Sequence, residues 1–424
     1  MKYRETIIKG LAECCRVLIG AVFVFSGFVK AVDPVGFALK IGDYLIAFGL
    51  DRFQSLSQVF GFNLIAIEFM LGVCVLLGVY RRYASFLALA MMAFMTPLTL
   101  YLALFDPVSD CGCFGDAVIL SNWETFGKNV VLLAAAIFLF IHNQRIYQFF
   151  TYKVYWFVAL FAFFFCSFFT LQNYRHLPVM DFRPYKVGTN IPEAMAIPEG
   201  APEDEYLYSF IYEKDGAQQT FGLDNLPAEG SGWTFVESQT TLIKQGYVPL
   251  IAAFNLYNPD DQDVTQEILQ ADKDVFLLVS PNLGAANDEY IDQINGVFDY
   301  AQEHALAFYG VTGSPEEEIN RWIDYTGAEY PFLQADDVLL KTMIRANPGL
   351  ILLRGGTVWA KWHFRDIPEM EEVKAVMDDY RGRDQAVKKE DTWMITNLLT
   401  FAVPLLFVWG YDYLRNRRRK AVDN

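Results

Sequence analysis

Cysteine is scarce in this chain and stops early. There are six, and none follows Cys166, so the long remainder cannot hold an internal disulfide, the usual staple of a small domain in an oxidising compartment. Histidine is scarcer still: His142, His176, His304 and His363 are scattered without metal-ligand spacing. Glycine-rich phosphate loops and a nucleophile-elbow pattern are missing, which removes the common nucleotide-binding and serine-hydrolase readings. Basic residues are the minority, 34 against 50 acidic for a net charge of -16, and that balance excludes nucleic acid as a partner.

Apolar residues are abundant and segregated. The chain is 53% hydrophobic and 16% aromatic, with apolar runs at 16–32, 59–80, 84–105, 125–141, 154–171 and 393–414. A helix needs roughly 20 such residues to cross about 30 Å of hydrocarbon. Six spans are therefore expected, the first and fourth short.

Lysine and arginine collect in loops retained in the cytoplasm. Lys2, Arg4, Lys9 and Arg16 precede span one, Arg81 and Arg82 join spans two and three, Arg145 and Lys153 join spans four and five, and Arg415 to Lys420 follow span six. All four clusters fall on one side. Both termini are thus expected in the cytoplasm, with the loop after span three and the segment 173–391 outside. That segment holds 38 acidic and 17 basic residues, net -21, and the rest of the chain is net +5. The basic, apolar N-terminus has no clear cleavage site and leads into Lys30 and Asp33, so it reads as a retained first span. Residues 33–58 are amphipathic, with Phe37, Ile41, Tyr44, Leu45 and Phe48 at helical spacing. They suit an interfacial helix, packed against the bundle or forming the rim of a lipid or quinone pocket.

Chemistry is concentrated in Asp110-Cys111-Gly112-Cys113-Phe114-Gly115-Asp116. Two thiols one residue apart can close a small, strained disulfide that is readily reduced. The alternatives are a structural disulfide and a two-ligand metal site. Asp110 and Asp116 are expected to disfavour the thiolate. Cys14, Cys15, Cys74 and Cys166 lie in apolar runs and read as small hydrophobes. Glu68 is the one acidic residue deep in an expected span, where a carboxylate is costly and marks a functional position by default. It would remain protonated, bond a quinone carbonyl, relay a proton to the dithiol, or join two helices.

Residues 11–142 resemble the DoxX-like superfamily of four-helix membrane proteins, in particular its MauE-like branch. The resemblance is carried by Gly27-Phe28-Val29-Lys30 with Asp33-Pro34, by Glu68 and Gly78 before Arg81-Arg82, and by Cys111-Gly112-Cys113-Phe114-Gly115. It implies a four-helix core with a role in thiol-disulfide or quinone-linked electron transfer at the outer face.

In the outer segment, short β-like runs flank Asp215-Gly216, the signature of a hairpin. From residue 264 the pattern alternates: strand 275–279, helix 287–304, strand 305–311, and a helix from Pro315 whose Glu316-Glu317-Glu318 suit its dipole. Asn347-Pro348-Gly349 then precedes strands 350–353 and 357–362. This order resembles the thioredoxin-like fold, in which a cis-proline faces a Cys-x-x-Cys after the first strand. Here that position reads Ser280-Pro281-Asn282-Leu283-Gly284, so the domain cannot itself carry dithiol chemistry. The resemblance leaves Ser280, Pro281, Asn347 and Pro348 as a candidate partner-binding surface beside an edge strand.

The fold class expected is an α-helical polytopic membrane bundle, a four-helix DoxX-like core plus two further spans, carrying an extracytoplasmic α/β thioredoxin-like domain. The divisions are 11–142 for the membrane domain, 153–172 for span five, 173–261 for a β-rich linker region, 262–391 for the thioredoxin-like domain, 392–414 for span six and 415–424 for a basic cytoplasmic tail. The place expected is a bacterial inner membrane, with 173–391 periplasmic. The leading function is a component of extracytoplasmic thiol or quinone redox chemistry, with Cys111, Cys113 and Glu68 as catalytic residues. Membrane lipid, a periplasmic protein and a quinone are the candidate partners, the quinone also the candidate cofactor. A non-enzymatic scaffold and a small-solute or lipid transporter are the alternatives.

Overall fold

The computed structural model describes residues 2–108, 111–228, 230–244, 246–381 and 390–422. Six helices in it are long and apolar enough to cross a membrane. The first five are α1 (Lys2–Val32), α3 (Ser57–Leu77), α4 (Arg81–Phe105), α5 (Asn122–His142) and α6 (Tyr155–Arg175), with the shorter α2 (Pro34–Ala47) between the first two. The segment after α6 holds α7 (Ile191–Met195), strands β1 (Glu205–Lys214), β2 (Ala217–Gly222) and β3 (Thr234–Lys244), and helix α8 (Thr265–Leu269). It continues as β4 (Val275–Ser280), α9 (Ile291–Glu303), β5 (Ala307–Thr312), α10 (Glu316–Thr326), β6 (Phe332–Gln334), α11 (Asp337–Met343), β7 (Gly349–Arg354), β8 (Thr357–His363) and α12 (Met370–Arg381). The sixth long helix, α13 (Glu390–Val422), follows.

Helices α1, α3, α4 and α5 share one core, including Ile19, Phe23, Ile65, Phe69, Met92 and Leu139. Helix α6 adds Val158, Ala162 and Cys166 to it. Helix α13 leans on the outside of α6, with Phe401 beside Phe161 and Phe165 and with Asp412 accepting from the Thr151 amide at 2.8 Å. The apolar side chains left exposed on α4, α5, α6 and α13, such as Phe94, Val131, Phe164 and Phe407, face outward as a lipid-contacting surface requires. Helix α1 runs well past the apolar stretch expected from residue 16, because its first turns carry charges without breaking helical geometry.

The α/β domain between α6 and α13, expected on the outer side, is a five-stranded sheet in the order β6-β5-β4-β7-β8. Strands β4, β5 and β6 run parallel, whereas β7 is antiparallel to β4 and β8 to β7. A βαβ unit followed by a β-hairpin and a helix, with the first strand central, is thioredoxin-like topology. Side chains alternate across β4: Val275, Leu277 and Val279 enter one core with Ile351 and Leu340, while Phe276 and Leu278 enter the other with Phe308 and Trp322. The first of these cores also takes Tyr185, Ile191, Phe254 and Leu256, from within the segment expected to be a linker. The three-residue β6, α11 and α12 were not anticipated from the sequence pattern; β6 is too short to show a period of two.

A separate sheet, β2-β1-β3, is built around the hairpin at Asp215 (φ 52°) and Gly216 (φ 79°). Two successive positive φ values are those of a type I′ turn, which matches the twist of the paired strands. Every residue of β3 is exposed.

Candidate functional site

The site begins where α1 crosses α3. A Cβ on Gly27 would lie 2.8 Å from the Phe69 amide nitrogen, and one on Gly72 would lie 2.6 Å from that of Val24. Only glycine permits this backbone approach. It brings Lys30 of α1 to Glu68 of α3, Nζ to Oε2 2.7 Å, both side chains 6% exposed. The Lys30 ammonium also lies 4.8 Å from the centre of the Phe37 ring of α2. Glu68 is therefore half of a buried ion pair; its partner is legible only once α1 and α3 are known to be neighbours.

The Cys111 loop sits above this pair. Gly112 (φ 65°) and Gly115 (φ 52°) supply the left-handed backbone that turns it. Ser26 donates to the Cys113 carbonyl at 2.6 Å and Tyr44 to the Cys111 carbonyl at 2.9 Å. The Phe114 ring meets Phe25 edge-on at 5.4 Å and lies 4.1 Å beneath the Lys128 ammonium. The far end of the loop is fixed by a capping box at the start of α5, Ser121 with Glu124. Helices α1, α2 and α5 thus all hold the loop.

Both thiols are free, their sulfurs 2.8 Å apart. Cys111 is 6% exposed and Cys113 half-buried. The hydrogen bond between the two sulfurs holds the Cys113 thiol below its ordinary value, with the Lys128 and Lys30 charges acting in the same direction and burial and the Glu68 carboxylate against them. The same shared proton, with burial, pushes Cys111 up. The two flanking aspartates expected to disfavour the thiolate stand differently. Asp110 lies outside the described residues, and Asp116 faces Arg345, Nη2 to Oδ2 3.3 Å; the charges acting on Cys113 are those of Lys128, Lys30 and Glu68. Among the described residues, no cluster of three or more His, Cys, Asp or Glu side chains could hold a metal ion.

The outer domain approaches this loop with the face that the thioredoxin-like comparison singled out. The Asn347–Pro348 peptide is cis. Ser280 Oγ donates to Asn347 Oδ1 at 2.7 Å, and Asn347 Nδ2 donates to the Asn282 carbonyl at 2.8 Å. Ser280 and Pro348 are buried, whereas Pro281 and Asn347 line a cavity of about 420 Å³. The opposite wall of that cavity is Val35 and Leu39 of α2 and Tyr174 of α6. The four candidate partner-binding residues therefore lie together, but their open side is turned to the membrane bundle. Sequence reasoning missed Lys30, Lys128 and Arg345, since each meets the site across a long sequence separation.

A comparison with curated proteins finds none that matches. Residues 206–245, the exposed three-stranded sheet, match a domain of unknown function, DUF8463. Among solved structures, the solution structure of a Bacteroides thetaiotaomicron protein named as a candidate protein disulfide isomerase is similar at 19% identity, covering 30% of this chain and 82% of that one with a TM-score of 0.25. The helical bundle that carries the cysteine loop matches, over residues 8–142, the family model described as methylamine utilisation protein MauE.

Proposed function

We propose that the protein is a bacterial inner-membrane component of extracytoplasmic thiol-disulfide exchange, with Cys111 and Cys113 as its working dithiol. The observation that supports this most is the position of the two adjacent free sulfurs above a buried Lys30–Glu68 pair and facing Lys128. In this reading both termini are cytoplasmic and 173–391 is periplasmic, which the lysine and arginine distribution supports. The Cys113 thiolate attacks a partner disulfide, and the partner's released thiolate takes up a proton. Cys111, giving up its proton, then attacks the mixed disulfide and expels the second partner thiolate, which is protonated in turn. The pair loses two electrons and the Cys111 proton; the partner disulfide gains both electrons and two protons, the second being the one that left Cys113 for solvent when its thiolate formed. A quinone accepting the same two electrons and two protons is the alternative oxidant, with Glu68 and Lys30 exchanging protons near it. The outer domain, which lacks cysteine, positions the partner.

A second reading, a membrane-anchored scaffold, is favoured by the open β2-β1-β3 sheet, whose third strand is exposed throughout. Differential alkylation with mass spectrometry, in intact cells with and without respiratory quinone or the envelope thiol oxidant, separates the readings. A Cys111–Cys113 disulfide that becomes reduced when either oxidant is withdrawn supports redox turnover. A state that responds to neither sinks it and leaves the scaffold.

A further inference from the structure

The cavity between α2 and the outer domain has a charge character opposite to its surroundings. The segment 173–391 carries 38 acidic and 17 basic residues, yet the cavity is lined by Lys341, Arg345 and Arg365 and by no carboxylate. Its depth is fixed by the helices that wall it. The helices apolar enough to cross a membrane end here at Val32 and Arg175, so with these as spans Val35, Leu39 and Tyr174 come at the headgroup end of the bundle. Helix α2 leaves Leu39 and Ile46 38% and 49% exposed, and Phe48 just past its end is 46% exposed, the apolar face of a helix lying in the interface.

The three cations differ in how they are engaged. Arg345 is held by Asp33 and Asp116. Lys341 pairs with Asp337 across an exposed helical turn, a contact that water screens and a ligand can displace. Arg365 has its guanidinium 4.6 Å from the centre of the Phe364 ring and, among the described residues, no carboxylate within ion-pair distance. An apolar wall opening on acyl chains, with two available cations at headgroup depth, fits an amphiphile bearing a phosphate.

We infer that this cavity binds the phosphate headgroup of an anionic phospholipid, with Arg365 and Lys341 on the phosphate and the acyl chains along α2. A volume of about 420 Å³ lies within the range of small-ligand sites. The inference is independent of the thiol chemistry and holds whether or not the dithiol turns over.

The test is native mass spectrometry of the full-length protein in detergent, titrated separately with phosphatidylglycerol, phosphatidylcholine, inorganic phosphate and an acidic peptide. The expected result is one tightly retained phosphatidylglycerol, with phosphatidylcholine and free phosphate held more weakly. Each of Arg365→Gln and Lys341→Gln should weaken retention roughly fivefold, the effect of one cation near an anionic surface. Unchanged thermal unfolding in the two variants would tie any loss to the cavity. Equal retention of the two lipids, or retention that neither substitution alters, overturns the inference. Saturable peptide binding without lipid selectivity also overturns it and gives the cavity to a partner segment.

Discussion

Arg345 of the outer domain grips Asp33 of the membrane bundle, its Nε 2.9 Å from Oδ2 and 3.2 Å from Oδ1. Both side chains are nearly buried, at 10% and 12% exposure. Asp33 also caps α2 by accepting from the Gly36 amide at 2.9 Å, and a Cβ on Gly36 would stand 2.8 Å from Arg345 Nη2. The guanidinium therefore ties the thioredoxin-like domain to α2 and, through Asp116, to the loop that carries the cysteines.

Removing that guanidinium leaves Asp33 buried and unpaired. Arg345→Met should weaken docking of the outer domain by about 3–5 kcal/mol, and Arg345→Lys by less, because an ammonium keeps the charge but not the planar fork. Maleimide labelling of Cys111 in the folded protein reports it. Labelling faster than wild type in Arg345→Met is expected; an unchanged rate would mean the contact does not govern access.

Lys30→Met should destabilise the bundle because it strands Glu68, whereas replacing both residues together with apolar ones should recover much of the loss. The comparison is made by thermal unfolding in one detergent. Additive losses in the double variant would contradict an ion pair.

The alkylation of Cys113 carries a pH signature. A thiol held below its ordinary value gives up its proton at a lower pH than a free cysteine, so its rate should rise through an inflection below about 8.5, the usual position for cysteine. Lys128→Met removes a cation favouring the thiolate and should move the inflection upward. An inflection at the ordinary value in the wild type would remove the electrostatic basis of the proposed chemistry.

His363 provides an acid-stability test of the outer domain. Burial, with the neighbouring Arg365 and His176 charges, lowers its imidazole from 6.5 to about 3. The unfolded chain therefore binds a proton between those values that the folded chain refuses, and stability falls as pH drops through that window. At 1.36 kcal/mol per unit, the loss should be on the order of a few kcal/mol by pH 4. Thermal unfolding of His363→Phe between pH 7 and 4 should show a shallower slope than wild type. An equal slope would assign the acid sensitivity to other groups.

Gly72→Val should separate α1 from α3, because the new Cβ meets the Val24 backbone rather than a side chain that can move aside. Reduced thermal stability together with slower Cys113 alkylation is expected, since Lys30 shifts with α1. A folded variant with native alkylation kinetics would uncouple the helix crossing from the site.

The sequence alone determined the features written in local patterns. Hydropathy over contiguous residues gave six apolar spans, the Asp215-Gly216 pair marked a hairpin, and the strand–helix alternation from residue 264, with Pro348 before a hairpin, indicated a thioredoxin-like domain. Cys111 and Cys113 could be singled out because they are neighbours in the chain. Tertiary structure alone decided what surrounds them. Lys30 belongs to Glu68 and Cys113 because glycines let α1 and α3 approach backbone to backbone, and Arg345 reaches Asp33 and Asp116 because the outer domain folds back over α2. Electrostatics acts through space over a few ångströms, and separations of 38 and 312 residues leave no local pattern by which such neighbours could be read from the sequence.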